Sequence, residues 1–328
     1  TVAFGRANVL YVEARCSGGG SEINSGLVDR VLPETLDDWR RTHGVVALSD
    51  ADLAPFFAAN ARELRISLPA TVAPAARKLQ EGAARLGWKS VDLQRLVRLT
   101  EGGDGETARA VRESMTETFI PRAVRAGCRF LSQSRAVRLS KAGDEWQVTV
   151  DRQVPGESPV RITARAASVF VACGAIQTPA LLLRSGIRTN VGDSLRLHPM
   201  LKVVAQFPDV VATDDWSMPP HQIKAFAPRL GIGCSVSTPP YLATLLLSNP
   251  VHLPLLGEYR RQMAAYYTMT RGGIGSVRVL PGFRDPLVRY HLNDAELREL
   301  SEGLAKLCEA LVAAGASALF PAIAGQPA

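Results

Sequence analysis

Three consecutive glycines, Gly18–Gly20, precede the polar residues Ser21 and Asn24 in the stretch RCSGGGSEIN. A run of glycines loses much backbone entropy on folding and packs no side chain, so its presence needs a reason. One reason is a tight turn that the chain requires for its own path. The other is a large ligand that lies flat against the backbone, where Cβ atoms would block its approach.

A second turn of small residues, Cys173-Gly174-Ala175, lies between an apolar run and a helical pattern. We predict that the apolar run within residues 167–175, ASVFVACGA, is a buried strand that runs into this turn. Thr178 is the expected N-cap of the following helix, with Pro179 as its first residue and Gly186 at its end. Such a turn directs backbone N–H groups and a positive helix end toward a ligand, although many similar turns serve packing alone.

Hydrophobic periodicity predicts the elements that must position these two stretches. Helices are expected at residues 48–67, with Ser49 as N-cap and Asp52 in a capping box, at 74–88, at 107–127 with a break near Pro121, at about 255–268, and at 293–315. Strands are expected at residues 129–139, 146–150, 160–165, 202–207, 221–226, 274–280 and 287–292, and residues 101–106 read as a polar loop.

The composition limits the class of protein. The 328 residues are 46% hydrophobic, which suits one large domain or two interleaved domains. The formal charge is +7, but the basic residues are scattered among acidic ones, so no nucleic-acid-binding face is expected. Five cysteines without a C-x-x-C pair argue against a zinc site and predict a reducing, cytoplasmic location. No apolar run approaches the ~20 residues of a membrane span, and peripheral membrane association stays open.

Together the two small-residue stretches resemble the hallmarks of the glucose–methanol–choline (GMC) family of flavin oxidoreductases. The family's Arg-x-x-Gly-Gly-x-Ser-x-x-Asn pattern is matched by Arg15, Gly18, Gly19, Ser21 and Asn24. Its second pattern is matched by Gly174, Ala175, Thr178, Pro179, Leu181, Leu182, Ser185 and Gly186. Three weaker similarities follow in the family's order, at residues 191–199, 270–279 and 285–300. Within the family, the chain looks most like long-chain alcohol oxidases and bacterial sterol oxidases.

The resemblance implies an FAD cofactor, held where the backbone lacks side chains. The residues implied to contact FAD are Arg15, Gly18, Gly19, Gly20, Ser21, Asn24, Val137, Ala172, Gly174 and Ala175. Val137 would act through its backbone, near the adenine. The implied fold is of the α/β (α+β) class, with an incomplete doubly wound FAD-binding domain and an interleaved substrate domain of mixed or antiparallel sheet plus helices. The implied boundaries are 1–36 and 107–199 for the FAD domain, 37–106 for a helical insertion, 200–316 for the substrate domain and 317–328 for a return to the FAD domain.

Two parts of the family pattern do not occur in this sequence. There is no G-x-G-x-x-G turn after a first strand, and the family's C-terminal catalytic histidine, with its partner His or Asn, has no counterpart before Ala328. We therefore expect a piece of a longer protein, shortened at both ends, and leave the catalytic residues unassigned. The histidines present are not assigned to catalysis. His221, His252 and His291 have no acidic or cysteine partner at an indicative spacing, and His43 lies in a loop before a helix. His198 is expected to be structural, with a position facing the cofactor region as the alternative.

The activity that the resemblance implies is oxidation of an alcohol CH–OH group. In the family's reaction a histidine removes the hydroxyl proton while hydride passes from the carbinol carbon to flavin N5. Apolar stretches such as PPYLATLLL would suit a hydrophobic small-molecule alcohol. The alternative is a non-catalytic fragment, or a binding or assembly subunit without activity of its own. The oligomeric state has no signal in the sequence.

Overall fold

The computed structural model describes residues 2–5, 9–68, 72–100, 109–212 and 218–324, and its chain divides into two compact units. The first unit comprises Thr1–Val12, Cys128–Pro199 and Thr270–Glu299. The second unit comprises Glu13–Gly127, Met200–Met269 and Leu300–Ala328. Each unit is described by itself below.

The elements of the described residues are numbered in chain order. The helices are α1 (Pro33–His43), α2 (Asp50–Glu63), α3 (Pro74–Arg85), α4 (Phe119–Arg125), α5 (Gly174–Arg184), α6 (Pro239–Leu246), α7 (Leu255–Tyr259) and α8 (Asp294–Ala313). The strands are β1 (Val2–Ala3), β2 (Val9–Leu10), β3 (Leu27–Val28), β4 (Ser90–Asp92), β5 (Gln94–Arg95), β6 (Val97–Thr100), β7 (Arg109–Arg112), β8 (Ser134–Ala142), β9 (Glu145–Arg152), β10 (Val160–Ala166), β11 (Met200–Gln206), β12 (His221–Ile223), β13 (Leu230–Cys234), β14 (Met263–Thr270), β15 (Ile274–Arg278), β16 (Leu287–His291) and β17 (Ala318–Pro321).

An antiparallel three-stranded sheet, in the order β10-β9-β8, forms the larger sheet of the first unit. Helix α5 is attached to it by a hydrogen bond from the Leu139 N–H to the Ser185 hydroxyl oxygen, 2.8 Å. That hydroxyl donates in turn to the Leu181 carbonyl at 2.7 Å, within the last turn of the helix. β15 and β16 pair antiparallel in the same unit. The strands predicted at 129–139, 146–150, 160–165, 274–280 and 287–292 are confirmed, with shifts at their ends.

The predicted buried strand at residues 167–175 is wrong. Residues 167–173 are irregular and Gly174 already belongs to α5, while the side chain of Phe170 is 94% exposed. A strand forms only where a neighbour takes its backbone N–H and C=O groups. No described strand of the first unit pairs with this run, so its apolar character alone does not produce a strand. The doubly wound arrangement of the FAD domain stays a prediction.

A six-stranded sheet, in the order β17-β11-β14-β13-β12-β4, forms the framework of the second unit. The ladders of β11 with β14 and β17, and of β12 with β13 and β4, are antiparallel. One face is covered by α3 and α8, and its core includes Leu79, Tyr266 and Leu307. The buried Tyr266 hydroxyl donates to the Ala75 carbonyl of α3 at 2.8 Å. Burial raises the pKa of Tyr266 well above its usual value, so the phenol stays neutral there.

The opposite face of this sheet is covered only in part. Helix α6 packs against it through Leu242 and Leu246, which contact Val204, Met263 and Phe320. Strands β12 and β13 turn polar side chains and glycines to the same face, as described below. The stretch PPYLATLLL, proposed above as a wall for a hydrophobic substrate, is thus a helix whose apolar side is buried in this core.

Several helices follow directly from local sequence. Ser49 and Asp52 form the predicted capping box of α2, and the cap begins the helix at Asp50. The face of α2 predicted from its apolar residues is not a core, because no residue of this helix is buried. Gly87, with a φ of 70°, follows the end of α3 as predicted, and α8 fills most of the range 293–315.

Two predicted helices are largely wrong. Within 107–127, Arg109–Arg112 is strand β7, paired with β6, and only Phe119–Arg125 is helical. Pro121 explains the limit, since a proline is tolerated in the first turn of a helix but not in its interior. Within 255–268, the helix stops at Tyr259 and Met263–Thr270 is a central strand. The loop predicted at residues 101–106 lies outside the described residues.

Strands Leu230–Cys234 and Ala318–Pro321 were not predicted, while the strands at 202–207 and 221–226 are confirmed with shorter or shifted bounds. None of the helices in the described ranges is both long and apolar enough to cross a bilayer. The four sequence domains proposed above cut the chain differently from the two compact units, and their boundaries stay a prediction.

Candidate functional site

The first glycine stretch forms a short 3-10 turn, Gly19–Glu22, in the second unit. Gly18 and Gly19 have φ angles of 78° and 55°, in the left-handed region that favours glycine. A Cβ on Gly18 would lie 2.0 Å from Oε1 of Glu22, whereas a Cβ on Gly19 or Gly20 would find no atom within 4 Å. The turn therefore needs Gly18 and Gly19 for its backbone and leaves open space above Gly19 and Gly20.

Polar side chains hold this turn in place. The Ser21 hydroxyl donates to the Gly18 carbonyl at 2.7 Å and accepts from the Met115 N–H at 3.0 Å. The Oδ1 atom of Asn24 accepts from Nη1 of Arg112 at 3.3 Å. Both of these hydrogen bonds join the Ser21 hydroxyl to the protein's own backbone. The exposed side-chain nitrogen of Asn24 makes no hydrogen bond to the described part of the chain, and it is available to a ligand.

Two charged residues flank the glycines. Arg15 begins the stretch and is exposed. The Glu22 carboxylate accepts the Thr116 hydroxyl at 2.5 Å, and this hydrogen bond, followed by that of Ser114, lowers the pKa of Glu22. The ionised Glu22 side chain is therefore hydrogen-bonded to segment 114–116 and is not free to contact a ligand.

The second glycine stretch begins helix α5 in the first unit. Gly174 has a φ of 83°, and a Cβ on it would find no atom within 4 Å. The prediction that Thr178 is the N-cap is wrong, because the helix begins at Gly174 and Thr178 and Pro179 lie inside it. The Thr178 hydroxyl oxygen instead reaches back to accept from the Cys173 N–H at 3.1 Å. This bond satisfies an N–H group ahead of the helix and allows the earlier start.

The predicted contact residues around this turn are open to solvent. Ala172, Gly174 and Ala175 are all exposed. Gly186 closes the helix as predicted, with a φ of 84° and its N–H bonded to the Leu183 carbonyl at 3.1 Å. The N-terminal end of α5 therefore carries small residues and no covering side chain, which suits close approach of a large group.

Val137 is the extra residue of a β-bulge in β8. Ala136 pairs with Val150 and Arg138 pairs with Thr149, so two neighbouring residues of β9 face three residues of β8. The extra residue of a bulge is left outside the ladder and re-aims the strand locally. This geometry suits the predicted backbone contact at Val137, which stays a prediction.

The predicted flavin contacts are divided between the two units. Arg15, the glycines Gly18–Gly20, Ser21 and Asn24 belong to the second unit, whereas Val137 and residues 172–175 belong to the first. The convergence of the two stretches on one group therefore stays a prediction. Within each unit, the structure supplies an open, glycine-based turn at the predicted place.

A second candidate site lies on the partly covered face of the six-stranded sheet. Gly231 and Gly233 of β13 lie beneath the side chains of Met269 and Tyr267 from the neighbouring strand β14. A Cβ on Gly233 would lie 2.9 Å from the Tyr267 hydroxyl oxygen, and one on Gly231 would lie 2.7 Å from Met269 Cε. Glycine at these positions lets the Tyr267 ring lie across β13. Its hydroxyl oxygen thereby reaches β12 and accepts from Nε2 of Gln222 at 2.7 Å.

Lys202 of β11 lies beside this tyrosine. Its Nζ donates to the Ser235 hydroxyl oxygen at 2.8 Å and lies 5.3 Å from the ring centroid of Tyr267 and 5.6 Å from that of Tyr241. Within the described ranges, no carboxylate forms an ion pair with Lys202. We call these five residues the Lys202 cluster: Lys202, Gln222, Ser235, Tyr241 and Tyr267. No local sequence pattern predicts this cluster, because its members come from separate segments.

Residues 2–200, more than half of the chain, match the GMC oxidoreductase family. The chain belongs to this family. The resemblance noted from the two glycine stretches is thereby confirmed, and the chain is a GMC-type oxidoreductase sequence over at least this range.

Curated relatives of this GMC chain extend the match over its whole length. An uncharacterized GMC-type oxidoreductase of Sinorhizobium fredii is 34% identical over 99% of the chain and 66% of its own length. An uncharacterized GMC-type oxidoreductase of Mycobacterium tuberculosis is 29% identical over 100% of the chain and 53% of its own length. A long-chain-alcohol oxidase of Arabidopsis thaliana is 24% identical over 48% of the chain and 22% of its own length. The GMC chain thus spans about half to two-thirds of the two GMC-type relatives that it matches along its length.

One histidine of this GMC chain has an acidic partner, contrary to the sequence-based expectation. Nδ1 of His221 lies 2.7 Å from Oδ1 of Asp92, a residue 129 positions away on the neighbouring strand β4. The side chain of His221 is 1% exposed, and its Nε2 is buried without a hydrogen-bond partner among the described residues. An imidazole closed off in this way cannot reach a substrate proton, so the pair is structural. His198, by contrast, is exposed.

The buried phenol of Tyr267 makes the second unit sensitive to alkali. Burial raises the pKa of Tyr267 to about 12, against the opposing effect of the hydrogen bond from Gln222. An unfolded tyrosine ionises near pH ~10, so the stabilising effect is complete below that pH and is lost as the pH rises toward 12. We expect the free energy of unfolding to fall more steeply between these pH values in the wild type than in Tyr267→Phe, by up to about 2 kcal/mol.

Urea denaturation followed by circular dichroism at a series of alkaline pH values measures this difference. Tyr266 is present in both proteins and contributes equally to their pH dependence. Parallel curves for the wild type and Tyr267→Phe would contradict the assignment.

Proposed function

We propose that the protein is an FAD-dependent oxidoreductase that acts on the CH–OH group of an alcohol. Membership of the GMC family supports oxidoreductase chemistry. The partial similarity to two plant proteins named long-chain-alcohol oxidases supports an alcohol as the substrate. Because the chain covers only part of the length of its relatives, the activity is proposed for the protein as a whole.

The observation that carries this proposal is the open space at both family hallmarks. A Cβ would meet nothing within 4 Å at Gly19, Gly20 or Gly174, and Gly19 and Gly174 both have positive φ. A planar ring system or a pyrophosphate packs closely against backbone only where such space is left. The exposed Ala172 and Ala175 add two small side chains beside the second hallmark. These residues fit a large flat cofactor.

In this function the chain's own residues bind and orient the cofactor. FAD, when bound, supplies the two-electron oxidant for the alcohol. The glycine turn would lie against the cofactor, with Arg15 and the side-chain amide of Asn24 as polar contacts, while Ser21 keeps the turn closed through Gly18 and Met115. The N–H groups at the start of α5 would meet negative charge, as the N-terminus of a helix of this length does.

The base that takes the hydroxyl proton is not assigned to a described histidine. Both His221 and His252 have an Nε2 atom that is buried without a hydrogen-bond partner among the described residues. We propose, as the family resemblance implies, that residues 1–36 and 107–199 form most of the FAD domain and that residues 200–316 form the substrate domain. The base would belong to a segment beyond these ranges, and the alcohol is proposed to be hydrophobic.

Purification of the protein expressed from its full reading frame tests the proposal. We expect a yellow protein whose visible flavin absorbance is bleached by 1-decanol in the absence of oxygen. Denaturation should release one FAD per chain. A folded protein that stays colourless after incubation with FAD would overturn the proposal and favour a non-catalytic binding or assembly subunit.

A further inference from the structure

The Lys202 cluster contains hydrogen-bond donors that no acceptor among the described residues uses. The ammonium group of Lys202 has three N–H bonds, of which one is used by the Ser235 hydroxyl oxygen. The Tyr267 hydroxyl oxygen accepts from Gln222, and its own proton has no acceptor among the described residues. If the Gln222 side-chain amide were rotated by 180°, the Tyr267 O–H would donate to its oxygen. The amide N–H₂ group would then be the one without an acceptor. In either orientation the cluster retains unused donors beside a positive charge.

Burial makes these unused donors costly. Tyr267 is 5% exposed and Ser235 is 2% exposed, while Lys202 is half-buried between the tyrosine rings of positions 241 and 267. The rings stabilise the ammonium through cation–π attraction, but they accept no hydrogen bond in the way an oxygen does. The ammonium group of the half-buried Lys202 is partly withdrawn from water, and the described residues supply no carboxylate that pairs with it.

Two other partly buried lysines of the second unit, Lys78 and Lys224, differ in this respect. Lys78 also lies over an aromatic ring, 5.4 Å from the centroid of Phe207, but its Nζ pairs with Asp209 at 2.5 Å. Lys224 pairs with Asp29 at 3.0 Å. Lys202 thus shares the aromatic-ring contact of Lys78, but no carboxylate of the described residues forms an ion pair with it. A ligand can provide that anion.

We propose that the Lys202 cluster binds a carboxylate group of the substrate, so that the alcohol oxidised by this protein also carries an acid group. The reference to a substrate rests on the function proposed above, whereas the binding of a carboxylate does not. A carboxylate fits because it brings a single negative charge and two acceptor oxygens, which one ammonium and one phenol O–H can satisfy together. Phosphate brings more charge and more acceptor oxygens than one ammonium and one phenol O–H can satisfy.

Neighbouring side chains indicate the rest of this substrate class. Met269 lies over Gly231 on the same face of the sheet, and its flexible thioether suits an alkyl chain. An aliphatic hydroxy acid, charged at one end and apolar along its length, combines these features. The Lys202 cluster would set which alcohols bind, and it takes no part in the transfer of hydride.

Calorimetric titration of the flavin-loaded protein tests binding directly. The probes are two matched pairs, 6-hydroxyhexanoate with 1-hexanol and 10-hydroxydecanoate with 1-decanol. We expect at least one acid to bind about 10- to 100-fold more tightly than its matching alcohol, as a charged hydrogen-bonded pair implies. In Lys202→Met, which keeps the apolar stem, this preference should disappear. Tyr267→Phe, which keeps the ring and loses the donor, should reduce it several-fold.

Lys78→Met is the matched control, since it removes a lysine that has a ring contact and already has its own carboxylate. It should retain the preference for the acid. The inference is overturned if no acid binds more tightly than its matching alcohol, or if the preference survives in both Lys202→Met and Tyr267→Phe. Circular dichroism establishes whether each variant is folded. If Lys202→Met does not fold, the preference measured for Tyr267→Phe tests the inference by itself.

Turnover of the same probes separates this inference from the proposed function. An acid that binds at Lys202 but is not oxidised leaves the carboxylate site standing and contradicts the alcohol oxidoreductase. Oxidation of the alcohols with no preference for the acids supports the oxidoreductase and contradicts the carboxylate site. Where both hold, Lys202→Met should raise KM for the acid with little change in kcat.

Discussion

Replacing Gly174 with valine is expected to abolish flavin binding while leaving the protein folded. The φ of Gly174 is 83°, so a side chain costs roughly 1–2 kcal/mol in backbone strain. No atom lies within 4 Å of the added Cβ, so the protein itself does not resist the substitution. The new side chain would fill the space that the proposed function assigns to FAD. We expect the Kd for FAD to rise at least about 100-fold, which corresponds to ~2.8 kcal/mol.

The chain offers a matched control at Gly156, in the turn between β9 and β10. Gly156 also has a φ of 83°, and a Cβ on it would likewise meet nothing within 4 Å. Gly156→Val therefore carries the same type of backbone strain without approaching either family hallmark. Both variants should lose similar thermal stability, measured by circular dichroism without added FAD. Visible absorbance after FAD addition should separate them, and equal flavin occupancy would refute the role of Gly174.

Replacing Gly82 with alanine is expected to destabilise the second unit by about 3 kcal/mol. Gly82 lies in α3, where it faces α8, and a Cβ on it would lie 2.0 Å from the backbone oxygen of Ala310. Neither helix backbone can yield without disturbing the core around Leu79 and Leu307. Alanine is a better helix former than glycine by up to ~1 kcal/mol, so the expected loss runs against intrinsic propensity.

Gly257→Ala in α7 serves as the comparison, because a Cβ there would meet nothing within 4 Å. This variant should leave stability unchanged or raise it by up to ~1 kcal/mol. Equilibrium denaturation in urea, followed by circular dichroism, measures both changes. If Gly82→Ala moved the midpoint upward, as Gly257→Ala is expected to do, the close approach of α3 and α8 would be wrong.

Elements that carry their own local signals could be read from the sequence. Helix α2 has its capping box at Ser49 and Asp52, and the ends of α3 and α8 are followed by glycines with positive φ at positions 87 and 315. The antiparallel hairpins of the first unit alternate polar and apolar residues around turn residues, which is the pattern of a half-exposed strand. In each case the information lies within a few residues of the element.

Elements whose form depends on distant partners could not be read in this way. Met263–Thr270 is buried at nearly every position, so it lacks the alternation that separates a strand from a helix. For residues 167–175 the error is the opposite one. Their apolar composition predicts a strand, but they pair with none of the described strands. In both cases pairing with a neighbouring strand determines whether the segment is a strand. The sequence of a single segment does not indicate which strands it will pair with.

The same distinction applies to the candidate sites. The glycine stretches at positions 18–20 and 174 were found because a local pattern carries the family resemblance. The Lys202 cluster draws single, ordinary residues from β11, β12, β14, α6 and the segment after β13. Asp92 and His221 likewise meet only through the pairing of β4 with β12. Such sites exist only after the sheet has formed.

The order of strands in the six-stranded sheet also bears on how the protein is made. β4 and β12 are neighbours although His221 and Asp92 are separated by 129 residues, and the opposite edge, β17, consists of residues 318–321. A ribosome therefore releases β4 long before its partner exists, and β11 lacks one of its two neighbours until residues 318–321 have been made. Sheets with such distant pairings fold slowly, on the scale of milliseconds to seconds. During that interval the unpaired edges are open to association with other nascent chains, so chaperone supply should govern the yield of this protein.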